Sequence, residues 1–198
     1  TKEREHSSKI LFLASSKDKL LKFNDSSIIP MLISEDDREN QDFIVGKIAY
    51  SVSEWNNVLD KLEEFPNRIL IDCEGFDTKN EYVSKLFKML LNLTKALISR
   101  NIERKKIKLF CVYYNDNNLE ELPYGALSGF FRTINLEEAF CEFRTILLDN
   151  PSELKNVIIR EFSIDDKELD IKWNDGKRYS RKLRQTNISD NILPDTSL

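Results

Sequence analysis

Two apolar runs, RILID at Arg68–Asp72 and KIKLFCVYY at Lys106–Tyr114, enclose the strongest helical pattern of the sequence. Each run is long enough for a buried strand and too short for a buried helix. The apolar residues at helical spacing between them are Tyr82, Leu86, Met89, Leu90, Leu93 and Leu97, widened by Phe87, Leu91 and Ile98. So broad a stripe predicts a helix that packs onto a sheet, capped by Asp77 or Thr78. Strand, helix and strand in this order predict a parallel pair with a crossover connection.

The same alternation continues toward the amino terminus. KILFLAS at Lys9–Ser15 and IIPMLIS at Ile28–Ser34 are two further buried-strand runs. Pro30 weakens the second run or places it at a sheet edge, because proline cannot donate to a strand ladder. The acidic stretch Glu35–Asp42 is typical of an exposed loop. A helix follows, for which Ser53 is the expected N-cap.

Toward the carboxyl terminus, helices and strands also alternate and then give way to a hairpin. The predicted elements are a helix at Tyr124–Phe140, a strand at Phe143–Leu148 and a helix at Pro151–Phe162. Two alternating runs, Glu168–Trp173 and Lys177–Lys182, then flank Asn174–Asp175–Gly176. Asn/Asp-Gly supplies the positive φ values that a tight hairpin turn needs.

The predicted fold class is therefore α/β, a truncated Rossmann-like, mainly parallel sheet flanked by helices and ending in a β-hairpin. The length of 198 residues fits one domain, which we place at residues 9–184. Residues 1–8 are expected to be disordered or to be left from a longer chain that was cut, and residues 185–198 to form a tail or linker.

Composition excludes several classes of function. The net charge of −4 provides no basic field for nucleic acid. The single histidine, His6, removes zinc sites built on several histidines and nucleophilic triads that contain histidine. Three widely spaced cysteines without a CxxC pair predict neither a disulfide framework nor a zinc site, and Cys73 and Cys111 are expected to be buried, inert thiols. No apolar stretch of membrane-spanning length and no signal-peptide pattern occurs, so we expect a cytoplasmic chain without a membrane partner.

A Rossmann-like enzyme needs a glycine-rich turn after its first strand, so that backbone amides can approach a pyrophosphate. Here residues 15–20 contain no glycine. The next candidate turn, Asp72–Cys73–Glu74–Gly75, has one glycine and two carboxylates that would repel phosphate. We therefore predict no catalytic, cofactor-binding or metal-binding residues in this chain.

Asp72 and Glu74 permit an alternative, because they follow a strand at the sheet edge where α/β enzymes keep catalytic groups. Paired carboxylates can act as acid and base or hold a divalent metal such as magnesium, which would make the chain a small α/β enzyme. In the plainer interpretation, they cap the following helix and decorate a solvated loop.

Three segments resemble those of one family. Ala126–Glu137 resembles the alanine-leucine-x-glycine-hydrophobic-x-arginine helix of modular polyketide synthase ketoreductases. In that family a strand ending in Leu-x-Asp follows, as Leu147–Asp149 does here. Asp175–Leu183 resembles the family's glycine-x-arginine-tyrosine-x-x-x-leucine hairpin. The resemblance covers roughly Arg68–Arg184 and extends more loosely back to Lys9.

The resemblance implies the structural, amino-terminal subdomain of such a ketoreductase, or a pseudo-ketoreductase, in a multidomain bacterial polyketide synthase. It implies that NADPH and the catalytic residues belong to a catalytic half that this chain lacks. The implied partners are that catalytic subdomain or neighbouring methyltransferase, dehydratase or carrier domains. The implied role is a scaffold, not an enzyme by itself, with Arg132, Arg178 and Tyr179 as candidate interface residues. The polyketide product and the module stay open.

Overall fold

The computed structural model describes residues 9–23, 26–34, 43–47, 50–74, 80–101, 104–114 and 122–182. The strands within these ranges are β1 (Ile10–Ala14), β2 (Ile28–Ser34), β3 (Ile44–Lys47), β4 (Arg68–Asp72), β5 (Ile107–Tyr114), β6 (Cys141–Leu148), β7 (Asp170–Asn174) and β8 (Lys177–Ser180). The helices are α1 (Lys17–Lys22), α2 (Val52–Leu59), α3 (Asn80–Arg100), α4 (Leu122–Glu137) and α5 (Leu154–Ser163), the last preceded by a 3-10 turn at Pro151–Glu153.

The eight strands form one sheet in the order β3-β2-β1-β4-β5-β6-β7-β8. Every neighbouring pair is parallel except β7 and β8, which form the closing antiparallel hairpin. The predicted fold class, a mainly parallel Rossmann-like sheet with helices and a terminal hairpin, is confirmed. The strand order reverses between β1 and β4: β2 and β3 lie on one side of β1, and β4 to β8 lie on the other. Such a reversal opens a crevice at the carboxyl ends of the strands.

Apolar side chains fill both faces of the sheet, which explains why the central strands are continuous apolar runs. On one face, Leu11, Ile69 and Leu109 pack under α2, α3 and α4. On the opposite face, Phe12 and Phe110 pack with apolar residues of α1 and α5. We call these the α4 face and the α5 face.

Strand β2 is not at the sheet edge, so this interpretation of Pro30 is wrong. The edge strand is β3, a short strand that the sequence pattern does not predict. Strand β3 pairs with Met31–Ser34 and leaves Pro30 opposite β1 alone. Pro30 is tolerated because its stretch of β2 has a neighbour on one side only.

Helix α2 begins two residues earlier than expected. Its N-cap is Ser51, whose Oγ accepts a hydrogen bond from the Glu54 backbone amide, while the Glu54 carboxylate accepts one from the Ser51 amide. This reciprocal capping box explains why Ser51 caps the helix and the predicted cap, Ser53, lies in its first turn. The six-residue helix α1 was not predicted. The predicted cap of α3 at Asp77 or Thr78, the loop at 35–42 and both chain ends lie outside the described residues.

The hairpin turn and the buried cysteines are confirmed. Asp175 and Gly176 have φ values of 49° and 70°, as the Asn-Asp-Gly sequence predicts. Cys73 and Cys111 are buried free thiols, and Cys141 is a third. Burial raises the pKa of the Cys141 thiol to about 12, so it is protonated at neutral pH.

Candidate functional site

A cluster of charged side chains bridges the crevice between β1 and β4. Lys19, in the first turn of α1, places its Nζ 2.6 Å from Oδ2 of Asp72 and also pairs with the carboxylate of Glu74. The Tyr114 hydroxyl donates to the same Asp72 oxygen at 3.2 Å. The Glu74 amide donates to Asp72 Oδ1 at 2.8 Å. Both oxygens of Asp72 are therefore occupied by this chain's own groups.

The expectation that Asp72 decorates a solvated loop is wrong, because its side chain is fully buried. Burial raises the pKa of the Asp72 carboxyl above its usual value, and the hydrogen bonds and charge of Lys19 oppose that rise. Burial and the neighbouring Asp72 also raise the pKa of the Tyr114 hydroxyl. Lys19 lies over the Tyr114 ring at 4.5 Å from its centre, which adds a cation–π contact to the cluster. Glu74 is exposed.

The β1–α1 turn carries side chains where a dinucleotide-binding turn would carry glycines. Ser15 Oγ donates to the Glu74 backbone carbonyl at 2.9 Å, which ties this turn to the end of β4. Together with the Lys19–Asp72 ion pair, this bond joins the β1–α1 segment to the end of β4. No group of three or more potential metal ligands occurs among the residues that the structure describes.

A second buried charge cluster joins the hairpin to α5. Glu161 of α5 is fully buried and accepts hydrogen bonds from Trp173 Nε1 at 2.7 Å and Arg178 Nε at 2.6 Å. Arg144 of β6 donates to the other Glu161 oxygen at 3.2 Å. Arg178 also pairs with Asp166, at 2.9 Å between Nη1 and Oδ2. We call these residues the Glu161 anchor, because they fix both strands of the hairpin to the α5 face.

A groove of about 540 Å³ lies on the opposite side of the hairpin, next to α4. Four of its residues are direct neighbours in register across β5, β6, β7 and β8 and form one row of its floor: Tyr113, Leu147, Lys172 and Tyr179. Its α4 wall consists of Gly125, Ser128, Gly129 and Arg132, and Asp170, Ile171, Ser180 and Arg181 complete the lining.

The groove brings together two of the three candidate interface residues. Arg132 is exposed on α4 and Tyr179 is half exposed on β8, and both line the groove. Arg178 lies on the other face, in the Glu161 anchor. Whether these residues contact a partner stays a prediction.

Lys172 and Arg181 are groove residues that the sequence analysis does not identify, although the alternation of the hairpin residues indicates which face each side chain occupies. Residues 172 and 179 are cross-strand neighbours, and so are residues 173 and 178. Since successive strand residues point to opposite faces, an apolar Trp173 in the core places Arg178 beside it and leaves Lys172 with Tyr179.

Arg132 and Asn135, three residues apart on α4, form no hydrogen bond with each other. The Asn135 amide instead bonds the backbone of Phe143, accepting from its N–H at 2.9 Å and donating to its carbonyl at 3.0 Å. These two hydrogen bonds tie the end of α4 to β6 and leave the Arg132 guanidinium exposed at the groove.

Across the part of the chain that the structure describes, no helix has the length and apolarity to cross a membrane.

The fold is shared with solved reductases and dehydrogenases at low sequence identity. A β-ketoacyl-[ACP] reductase from Bacteroides thetaiotaomicron superposes with a TM-score of 0.54 at 12% identity, covering 84% of this chain and 97% of that chain. Serine dehydrogenase from Escherichia coli gives 0.52 at 8% identity, covering 83% and 96%. A short-chain dehydrogenase from Streptomyces avermitilis gives 0.51 at 12% identity, covering 83% and 87%. These similarities establish a Rossmann-like fold.

No protein of curated function matches the sequence. A family model described as "Beta-ketoacyl synthase-like, N-terminal" matches residues 40–166, a range that runs from before β3 to the start of the hairpin region and includes α2 to α5. Because that range is more than half of the chain, the protein belongs to the β-ketoacyl synthase-like, N-terminal family.

Proposed function

We propose that this protein is a non-catalytic structural subdomain of a bacterial polyketide synthase. In this proposal it holds a ketoreductase catalytic half, or neighbouring methyltransferase, dehydratase or carrier domains, in register. Membership of a β-ketoacyl synthase-like family, a reductase-type fold and the three ketoreductase-like segments support this assignment.

The observation that carries the proposal is the pair of contacts that join β1–α1 to the end of β4 across the crevice. A bound dinucleotide would need its pyrophosphate beside the β1–α1 turn. Lys19 crosses that space to reach Asp72, and Ser15 joins the turn to Glu74. Opening the crevice would expose two carboxylates to the phosphates and break a buried ion pair. NADPH would therefore bind a partner's catalytic half and not this chain.

The ketoreductase-like segments contribute structural contacts, which agrees with a scaffold. Leu127 and Phe131 of α4 are buried in the core of the α4 face. Ser128 Oγ donates to Asp170 of β7 at 2.7 Å, so α4 is joined to the hairpin. Arg178 anchors β8 through Glu161. These contacts hold α4 and the hairpin in a fixed relation.

Titration of the purified chain with NADPH and NADH by isothermal calorimetry tests the proposal. We expect no saturable binding at millimolar dinucleotide, whereas a short-chain dehydrogenase in the same buffer binds. A dissociation constant in the micromolar range for this chain alone would overturn the scaffold assignment.

The alternative function is a small α/β enzyme that uses Asp72 and Glu74, with or without a divalent metal. One observation favours it: a buried carboxyl whose pKa is raised, beside a lysine and a tyrosine, is typical of acid–base sites. Loss of a measured activity on Asp72→Asn would support this enzyme. The scaffold predicts instead that magnesium leaves the melting temperature unchanged.

A further inference from the structure

Among the described residues, no helix covers the α4 face of the hairpin. Helices α2, α3 and α4 pack over the strands from β3 to β6, and the core of that face contains no residue of β7 or β8 among the described residues. On the opposite face, Ile171 and Trp173 pack against α5. A doubly wound sheet normally carries helices on both faces. The groove is therefore a place on this sheet that no helix of the described ranges covers.

The dimensions of the groove fit one helix. Its floor beyond α4 consists of β7 and β8, and two neighbouring strands span about 10 Å, close to the diameter of a helix with its side chains. The α4 wall is recessed, because Gly125 and Gly129 lie one turn apart and a Cβ at either position would have no neighbour within 4 Å. A second helix can thus approach the α4 backbone closely.

The charge of the groove selects the chemistry of that helix. Three basic residues line it, Arg132, Lys172 and Arg181, although the whole chain has a net charge of −4. Lys172 lies 3.4 Å from Asp149, so part of its charge is already compensated.

The acidic lining residue, Asp170, bonds hydroxyl groups and forms no ion pair with Arg132 or Arg181. Each carboxylate oxygen of Asp170 accepts a hydroxyl hydrogen bond, from Ser128 at 2.7 Å and from Thr145 at 2.6 Å. Among the described residues, Arg132 and Arg181 form no ion pair. These two guanidinium groups are the charges that a partner can meet.

We propose that this groove docks one helix of a neighbouring domain, with acidic residues facing Arg132 and Arg181 and an apolar side chain packed on Tyr179. The inference rests on the scaffold function, because it names the kind of segment that the scaffold holds. The half-exposed ring of Tyr179 supplies the apolar contact between the charges. A charged rim around an apolar centre is the usual composition of such an interface.

Site-specific photocrosslinking tests the inference in the protein expressed from its complete gene. p-Benzoylphenylalanine replaces Gly129 in the groove and, as the matched control, the exposed Lys88 on α3. We expect an adduct from position 129 to a helix-forming peptide rich in Asp and Glu, and at least a several-fold weaker adduct from position 88.

Charge reversal then tests the electrostatic part. The double variant Arg132→Glu/Arg181→Glu is expected to reduce the position-129 adduct at least tenfold, whereas Lys88→Glu/Lys95→Glu, with the same net charge, leaves it unchanged. Thermal melting of each variant establishes that it is folded. Equal losses in both double variants would show a non-specific charge effect and overturn the inference.

Other outcomes also overturn it. These are an adduct to a strand-forming or basic peptide, to a second copy of this chain or to nucleic acid, or no adduct above that of position 88. The scaffold function fails separately, through micromolar NADPH binding by the purified chain. A missing adduct without NADPH binding therefore overturns the docked helix alone, and NADPH binding with an intact adduct overturns the scaffold alone.

Discussion

Each face of the β7–β8 hairpin carries one basic and one aromatic side chain, but the surroundings of the two pairs differ. On the α5 face, Arg178 and Trp173 are fastened to the buried carboxylate of Glu161. On the α4 face, their chain neighbours Tyr179 and Lys172 line an open groove. The residues alternate along the same two strands, so the difference arises from what lies opposite them and not from the hairpin itself.

The side chains on the α5 face hold the hairpin in the fold, whereas those on the α4 face are accessible to a partner. Removal of one partner of a buried ion pair strongly destabilises the folded protein, because the other charge is left without compensation. An exposed cation beside an open groove has no such penalty and contributes little to folding. We therefore expect substitutions on the α5 face to affect stability, and substitutions on the α4 face to affect the contact with a partner.

The largest effect is expected for Glu161→Ala. The substitution leaves Arg144 buried beside Arg178 without the carboxylate that both guanidinium groups bond. We expect the free energy of unfolding to fall by about 3–5 kcal/mol, measured by urea denaturation. Glu137→Ala, which removes an exposed carboxylate at the end of α4, should change it by less than about 0.5 kcal/mol. Equal effects of the two substitutions would contradict the anchor.

The adjacent residues Arg178 and Tyr179 give the sharpest test of the comparison. Arg178→Ala removes charge-assisted bonds to Glu161 and Asp166 and is expected to cost about 1.5–3 kcal/mol in urea denaturation. Tyr179→Ala is expected to cost less, because its ring is half exposed, and to weaken the crosslink from position 129. If Tyr179→Ala destabilised the fold more than Arg178→Ala, the assignment of the two faces would be wrong.

Local chemistry explains which elements the sequence could predict. The hairpin turn follows from Asp175 and Gly176 themselves, since the backbone there needs positive φ values. The central strands follow from their apolar runs, which are long because both faces are covered. The edge strand β3 has four residues and no decisive pattern, so its presence, and with it the interior position of β2, depends on pairing that the sequence does not display.

The charged clusters could not be predicted from periodicity, because periodicity assigns charged residues to the surface. Glu161 and Arg144 are both buried, and each is tolerated because the fold surrounds it with groups of opposite charge. The resemblance predicts Arg178 and Tyr179 together as interface residues, because both belong to one family-like segment. The hairpin alternation separates them, once Trp173 fixes which face is the core.

Asp72 provides a smaller, pH-dependent test on a second buried carboxylate. Because its pKa is raised in the folded protein from the usual 3.8, the folded state binds a proton more tightly than the unfolded state does. The free energy of unfolding therefore falls as the pH rises from 3.8 through the raised pKa. Asp72→Asn removes this loss, so the variant gains stability relative to the native protein over that interval, by at most about 1.4 kcal/mol for each pH unit that separates the two pKa values.

Urea denaturation of both proteins at a series of pH values measures this difference. The ion pair with Lys19 forms only as Asp72 ionises, so its contribution is already contained in the pKa of Asp72. Any other effect of the amide adds a constant offset, so only the slope is diagnostic. A difference that stays constant would show that the Asp72 pKa is not raised. A difference of the opposite sign would show that Lys19 outweighs burial, and the cluster would then be more solvated than the structure indicates.

The smallest expected effects concern two glycines that both have open space around them but differ in backbone conformation. A Cβ added at Gly129 or at Gly176 would have no neighbour within 4 Å. Gly129 lies inside α4, where alanine is the better helix former, so Gly129→Ala should raise the free energy of unfolding by about 0.5–1 kcal/mol. Gly176 has a φ of 70°, so Gly176→Ala should lower it by about 1 kcal/mol. A stabilising Gly129→Ala would mean that folding does not require glycine in the wall of the groove. A destabilising Gly129→Ala would mean that the wall is not open, and the groove would then be too narrow for the helix that we propose.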